Sequence, residues 1–450
     1  MNAPPVAPDL VIRDGLILPM VVEGDYFRGD ISICGGRISA VSDKTIDDCS
    51  ASRILDASNA AVLPGFIQGH VHVVQSLLRH QADGLELLDW LRLRTWPYEA
   101  ALDGDGVEAA AELGIVELLC GGTTTALDFG TTHDHHRVFR AAEGLGIRLV
   151  SGKTHMDVGA SAPSALLEDP ERSLADAAEL GHRWHGAANG RLRYAVAPRF
   201  ALSCSPGLLR GCAELARAHG WLLQTHAAEN SDEVAEVHTL SGLGNIEFLD
   251  SHGLVGNDVV LAHGIHLDEA DVRRLAETRT TICHCPGANL KLGSGIADVP
   301  SLLQSGIPVV LGADGPPCNN RLSIFHEMSL AATIHNLRHG PTALEPWAVL
   351  GMATRDAAGA LGIGSEVGTL ENGKAGDVIV VELDEWSALP GGDPASRIVF
   401  GGGPHMVRHV VVAGQPLVVD GKLLGVDTEA LRLRVDEAWK ATRRKMEEMQ

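Results

Sequence analysis

The 450-residue sequence predicts an α/β fold: a (β/α)8 barrel with a small β-sandwich domain built from both chain ends. Three observations predict it. Short β-branched runs alternate with helical patterns of ten or more residues through the middle of the chain. Both ends are instead rich in short strands and turns. Most of the middle runs stop on a histidine or another polar residue, as strands do at the mouth of such a barrel.

The N-terminal part reads as strands in DLVIRDGLIL, GDISICGGRISAVS and RILDASNAAVLPG, with Asp14-Gly15 and Gly35-Gly36 as hairpin punctuation. The stretches GDVIVVEL and HMVRHVVVAGQPLVVDGK give the C-terminal part the same character. Two such ends around a different middle predict one composite domain, 1–62 with 368–424, a barrel at 63–367 and a C-terminal helix at 425–450. The eight barrel strands are expected at 62–67, 123–128, 148–152, 193–197, 222–226, 259–263, 280–283 and 309–313. Between them lie amphipathic stretches such as VEAAAELGIVELLCGG and LLRGCAELARAHG. The second opens on Ser205-Pro206 and closes on Gly220, the signs of a capped helix. A doubly wound sheet is the second choice, but no Gly-rich phosphate turn follows the first strand.

Acidic residues outnumber basic ones, 58 to 36, for a formal net charge of -22. That balance argues against nucleic acid and anionic membranes as partners. Arg443, Arg444 and Lys445 sit in a mixed-charge tail rather than a phosphate-binding stripe. The opening MNAPPVAPDL lacks the charged-then-apolar pattern of a signal peptide, and no apolar run approaches the ~18 residues of a spanning helix. The eight cysteines, at 34, 49, 120, 204, 212, 283, 285 and 318, form no small-domain disulfide framework. A reduced, cytoplasmic setting is expected.

The chemistry begins in GFIQGHVHVVQSLLRH. His70 and His72 lie two apart, so on an extended strand both imidazoles face one side. Among 21 histidines the pair reads equally well as two turn residues. His226 in LLQTHAAEN and Asp314 in VVLGADGPP end two further predicted strands. Three imidazoles and a carboxylate suit one divalent metal, Zn²⁺ first and Fe²⁺ second, with room for a water. Glu229 is the candidate proton carrier beside that site, and His263 in VVLAHGIHL the candidate to hydrogen-bond an attacking water.

Other strand ends carry Asp128, Lys153, Arg199 and His284, and His266 is a supporting or surface residue. Cys283-His284-Cys285 has no second Cys pair and reads as strand lining. Cys318 could be a nucleophile, but nothing beside it in sequence reads as its base. Trp90 and Trp96 in LLDWLRLRTWP are core, or a flat wall for a planar ligand.

Taken together, PGFIQGHVH, QTHAAEN, LAHGIHLDE, HCPGANLKLGSGIADVP and LGADGPPCNNRLSIFHEM resemble the amidohydrolase superfamily, from about residue 9 to 424. The nearer resemblance is to metal-dependent aminohydrolases of the 5′-deoxyadenosine, methylthioadenosine and S-adenosylhomocysteine deaminase branch. QADGLELLDWLRLRTWPYE, APRFALSCS and GADGPPCNNRL look most like bacterial 5′-deoxyadenosine deaminases. The resemblance implies that His70, His72, His226 and Asp314 hold one metal. It implies that Glu229 carries a proton to a ring nitrogen, with His263 orienting the attacking group and Asp314 taking a second proton. Gln75, Trp90, Glu99 and Arg199 become substrate contacts, with Trp90 packing on the substrate and Glu99 on ribose hydroxyls.

Arg199 stands where several nucleoside deaminases carry His and where guanine deaminase carries Arg. It also occupies the end of the fourth strand, where a two-metal relative needs a carboxylated lysine, so one metal is expected. The implied reaction removes the 6-amino group of an adenine nucleoside to give the inosine analogue and ammonia. Guanine or pterin deamination and s-triazine aminohydrolase or chlorohydrolase chemistry are alternatives on the same site. A non-catalytic scaffold is the alternative of another class. No arginine pair for an amino-acid carboxylate is evident, which ranks S-adenosylhomocysteine lower. The expected partner is a small heterocyclic amine or nucleoside, and the expected assembly a homo-oligomer, with the C-terminal helix either a solvated cover or a subunit contact.

Overall fold

The computed structural model describes residues 8–46, 51–159 and 161–449; the first residues of the opening MNAPPVAPDL, Cys49 and residue 450 lie outside them. Eight parallel strands form the barrel in chain order: β1 (Phe66–Val71), β2 (Thr123–Phe129), β3 (Arg148–Gly152), β4 (Leu192–Pro198), β5 (Leu222–Ala227), β6 (Val259–His263), β7 (Thr281–His284) and β8 (Val309–Leu311). The ring closes just past β8, where Asp314 bridges Val71 in parallel and donates its N–H to the His70 carbonyl at 3.1 Å. Strands β2, β3 and β6 are buried along their whole length. Helices cover the outer face of a parallel barrel, which is why these segments read as apolar runs without alternation. The capped helix spans Pro206–His219; the Ser205 side chain accepts the Leu208 N–H, and Gly220 ends it at φ 66°.

The strand expected at 62–67 is two strands. Ala60–Pro64 pairs antiparallel with Val378–Glu382 in the small domain, and β1 begins only at Phe66. Gly65 is the joint: a Cβ there would come within 2.0 Å of the Thr124 hydroxyl, so only glycine lets the chain pass between the two sheets.

Ala60–Pro64 belongs to a nine-stranded mixed sheet drawn from both chain ends. Its N-terminal members include Leu10–Ile17 and Phe27–Cys34; its C-terminal members include Val407–Val412 and Gln415–Val419. Ile12, Ile31, Ile33, Val62, Val378 and Val380 pack into one core between them. Buried Arg148 on β3 grips Asp377 through two hydrogen bonds of 3.0 and 3.1 Å, tying the barrel to this sheet. The C-terminal helix Thr428–Glu448 lies on the chain's own helix Gly104–Cys120, joined by Arg434 to Glu112 at 2.6 Å. Among the described residues, no helix is long and apolar enough to cross a membrane.

Candidate active site

His70 lies on β1, His72 one residue beyond it, His226 on β5 and Asp314 just past β8. One donor atom from each comes within 4.8 Å of all the others. His70 Nε2 and His72 Nε2 both stand 3.3 Å from Asp314 Oδ1, and His72 Nε2 stands 3.2 Å from His226 Nε2.

The approach of His70 is the part that strand alternation does not give. Ile67 belongs to the core that fills the barrel, and a Cβ on Gly69 would meet Val310 and Cys283 of the same core at 2.5 and 3.2 Å. His70 and His72 have the opposite parity. The pairing of β1 with β2 shifts register between Gln68 and Val71, the stretch that holds His70.

Burial lowers the pKa of all three histidines, well below the usual value for His72 and His226, so their rings are neutral. Burial alone would raise Asp314, but its hydrogen bond to His70 and the imidazoles around it hold the carboxyl well below the usual range. His226 Nδ1 lies 2.7 Å from the Arg199 carbonyl, which can only accept, so Nδ1 carries the proton and Nε2 presents a lone pair. His70 Nε2 is buried, with Asp314 Oδ1 3.3 Å away. Neutral imidazoles and an ionised carboxylate are the protonation states a divalent cation requires, and the donor set fits one.

Glu229, just after β5, and His263, ending β6, meet beside this cluster with Oε2 and Nε2 3.4 Å apart. His263 Nδ1 lies 2.9 Å from Asn289 Oδ1, while His263 Nε2 and Glu229 Oε1 are buried without partners. Burial raises the Glu229 carboxyl well above its usual pKa, and the charges of Asp314 and Glu233 push the same way. Ala228, His263 and Asp314 take left-handed backbone at φ 49°, 75° and 59°. Non-glycine residues held in that region cluster at functional sites, where the surroundings hold them in place.

Several supporting contacts join residues remote in sequence. Glu233 accepts the Glu229 N–H at 2.9 Å and the Asn245 amide at 3.0 Å, and Asn245 Oδ1 accepts the Ala228 N–H at 3.1 Å. The capping box Asn230-x-x-Glu233 brings the Glu233 carboxylate back to the Asn230 N–H at 3.4 Å, one residue past Glu229. Asp128, pushed up to about 6 by burial, accepts the Val73 N–H at 2.9 Å and the Ser151 hydroxyl at 2.6 Å, which fixes the turn after His72.

The Cys318 thiol donates to Asp314 Oδ2 at 3.0 Å, and burial and the Asp314 charge raise its pKa. Lys153 turns away to Glu168 and Ser173. The His284 ring lies 5.4 Å from that of His335, and His266 Nε2 meets the Ser294 carbonyl at 2.8 Å. Among the described residues no grouping with metal geometry involves Cys283, His284 or Cys285.

A narrow recess of about 30 Å³ opens over the cluster. Leu87, Trp90, Leu91, Phe200 and Leu292 form its apolar wall, and Gln75 and Arg199 a polar one. Trp96 is buried among core residues that include Trp90. Glu99 does not line the recess; it is buried behind it, hydrogen-bonded to Gln75 and Arg199.

A profile described as the amidohydrolase family matches residues 61–417. The 5-methylthioadenosine/S-adenosylhomocysteine deaminase of Syntrophobacter fumaroxidans is 36% identical over 431 residues, covering 95% of this chain and 97% of the relative. The 5′-deoxyadenosine deaminase of Methanosarcina mazei is 33% identical over 440 residues, covering 96% and 97%. A solved adenosine deaminase from Xanthomonas campestris with bound zinc superimposes with a TM-score of 0.91 at 28% identity, covering 98% of this chain and all of that one (100%). With a family match over most of its length and relatives aligned nearly end to end, the chain belongs to the amidohydrolase family.

Proposed function

We propose that the protein is a metal-dependent deaminase that hydrolyses the 6-amino group of adenine nucleosides with a small, uncharged 5′ group, such as 5′-deoxyadenosine or methylthioadenosine. The observation that carries this reading is the meeting, in one recess, of a three-imidazole, one-carboxylate cluster with Glu229 and His263, whose Oε2 and Nε2 stand 3.4 Å apart. His70, His72, His226 and Asp314 would hold the metal, with zinc preferred for that donor set and iron second. When bound, the metal supplies Lewis-acid activation of water near neutral pH.

The chain's own groups do the rest. His263 Nε2, its other nitrogen committed to Asn289, is free to accept a hydrogen bond from the attacking water and hold it in line. Glu229, whose carboxyl burial pushes well above its usual pKa, donates to the ring nitrogen next to the attacked carbon, which removes charge that would otherwise build up there. Glu229 regains its proton from the attacking water, and Asp314 takes the water's other proton and hands it to the amino group, which leaves as ammonia. Trp90 and Phe200 offer aromatic surface to a purine. Among the described residues, Arg199 is the one arginine or lysine on the recess wall and is already paired with Glu99, so none there awaits an amino-acid carboxylate unpaired. S-adenosylhomocysteine therefore ranks below the uncharged nucleosides.

Ammonia release from 5′-deoxyadenosine, methylthioadenosine, S-adenosylhomocysteine, guanine and melamine tests the proposal. The uncharged 5′-modified nucleosides are expected to give the highest kcat/KM. Guanine or a triazine in first place, with the nucleosides inert, would transfer the site to the alternative chemistry. A cytoplasmic location and a homo-oligomeric assembly belong to the same proposal.

A further inference from the structure

Glu99 sits on the short helix Trp96–Ala101, and every partner it has is a donor. Its Oε1 accepts Gln75 Nε2 at 3.0 Å and Arg199 Nη2 at 3.2 Å, and its Oε2 accepts Arg199 Nη1 at 2.5 Å. The carboxyl group accepts all three, the guanidinium reaching both of its oxygens.

Two consequences reach the recess. Because Gln75 must present nitrogen to Glu99, its Oε1 turns the other way and lies against Gly315, where a Cβ would come within 2.1 Å of it. That oxygen is buried without a partner, beside the metal-site residue Asp314, on a side chain that is 2% exposed and lines the recess. It is an acceptor still open to an entering group. The two-point grip also fixes the plane of the Arg199 guanidinium, whose remaining N–H groups stay available on the recess wall. The main chain of the same residue holds His226 in its metal-binding tautomer.

We propose that Glu99 is a positioning residue: it anchors Gln75 and Arg199, and these two, not Glu99, read the ligand. The proposal rests on the nucleoside-deaminase reading only for its choice of probes. A substrate cycle separates positioning from contact. Wild type and Glu99→Gln are compared on adenosine and on 2′,3′-dideoxyadenosine, which lacks the hydroxyls a carboxylate would bind.

The amide would point an NH₂ at a partner that also donates, so KM is expected to rise about tenfold or more, with a smaller change in kcat. The factor should be the same for both substrates. A loss confined to adenosine would show that Glu99 touches the hydroxyls and would overturn the proposal. A second readout needs no turnover: Tm for Glu99→Gln, Arg199→Met and the double variant. The double shift is expected to be smaller than the sum of the single ones, and additive shifts would overturn the anchor. A wild type inert toward both nucleosides overturns the deaminase reading instead, and the Tm cycle then decides the role of Glu99.

Discussion

Asp314→Asn is expected to lower kcat/KM by about 10³-fold or more and to strip most of the bound metal. Partners that merely orient a metal-binding side chain cost ~10–100-fold when lost, and Asp314 is placed to bind directly. Its Oδ1 faces the nitrogens of both His70 and His72, while Oδ2 accepts the Cys318 thiol. The substitution is clean in two respects. Asparagine tolerates left-handed backbone as well as aspartate does, so the φ of 59° adds no strain. Its size leaves the packing against Cys318 and Gly315 unchanged. What disappears is the one negative charge among three neutral imidazoles, and with it most of the attraction for a dication. Metal content measured by atomic emission, beside steady-state ammonia release, checks this. A variant that keeps a full complement of metal and near-normal turnover would remove Asp314 from the ligand set.

The barrel was legible because each strand is an apolar run that stops abruptly, and the stops put His226, His263 and Asp314 on one rim. Less legible was how His70 reaches them. Side-chain alternation from Ile67 would turn it outward, and the stretch that holds it carries a local register shift signalled only by Gly69 within an apolar strand. The break at Gly65 was hidden for a similar reason. One continuous run, AVLPGFI, serves two sheets, and hydrophobicity does not record which sheet a residue pairs with. The contacts of Cys318, Asn289 and Asn245 with the site follow from tertiary packing, which no spacing encodes. Glu99 shows the limit most plainly: its place near a substrate wall could be read, but its depth behind Gln75 and Arg199 could not.

Glu229→Gln is expected to retain the metal and lose ~10²–10⁴-fold in kcat, the range that general acid catalysis supplies. Glutamine is neutral like the protonated acid and close to it in size, but it has no proton to give to a ring nitrogen. The same substitution should stabilise the metal-free protein at neutral pH. Glu229 has a folded-state pKa well above the ordinary value of 4.5, so the folded chain holds a proton that the unfolded chain releases. Stability from this group is therefore fully present below pH 4.5 and falls as pH rises towards the folded value, where buried charge must form. Glutamine escapes that loss. In chelator-treated protein the Tm of the variant should match wild type near pH 4.5 and exceed it increasingly towards pH 8. A bound dication would offset the buried charge, so metal loading should shrink the difference. Turnover within about threefold of wild type would end the proton-donor role. A Tm advantage that shrank with rising pH would mean that Glu229 is ionised in the folded protein, and the proton for the ring nitrogen would have to come from elsewhere.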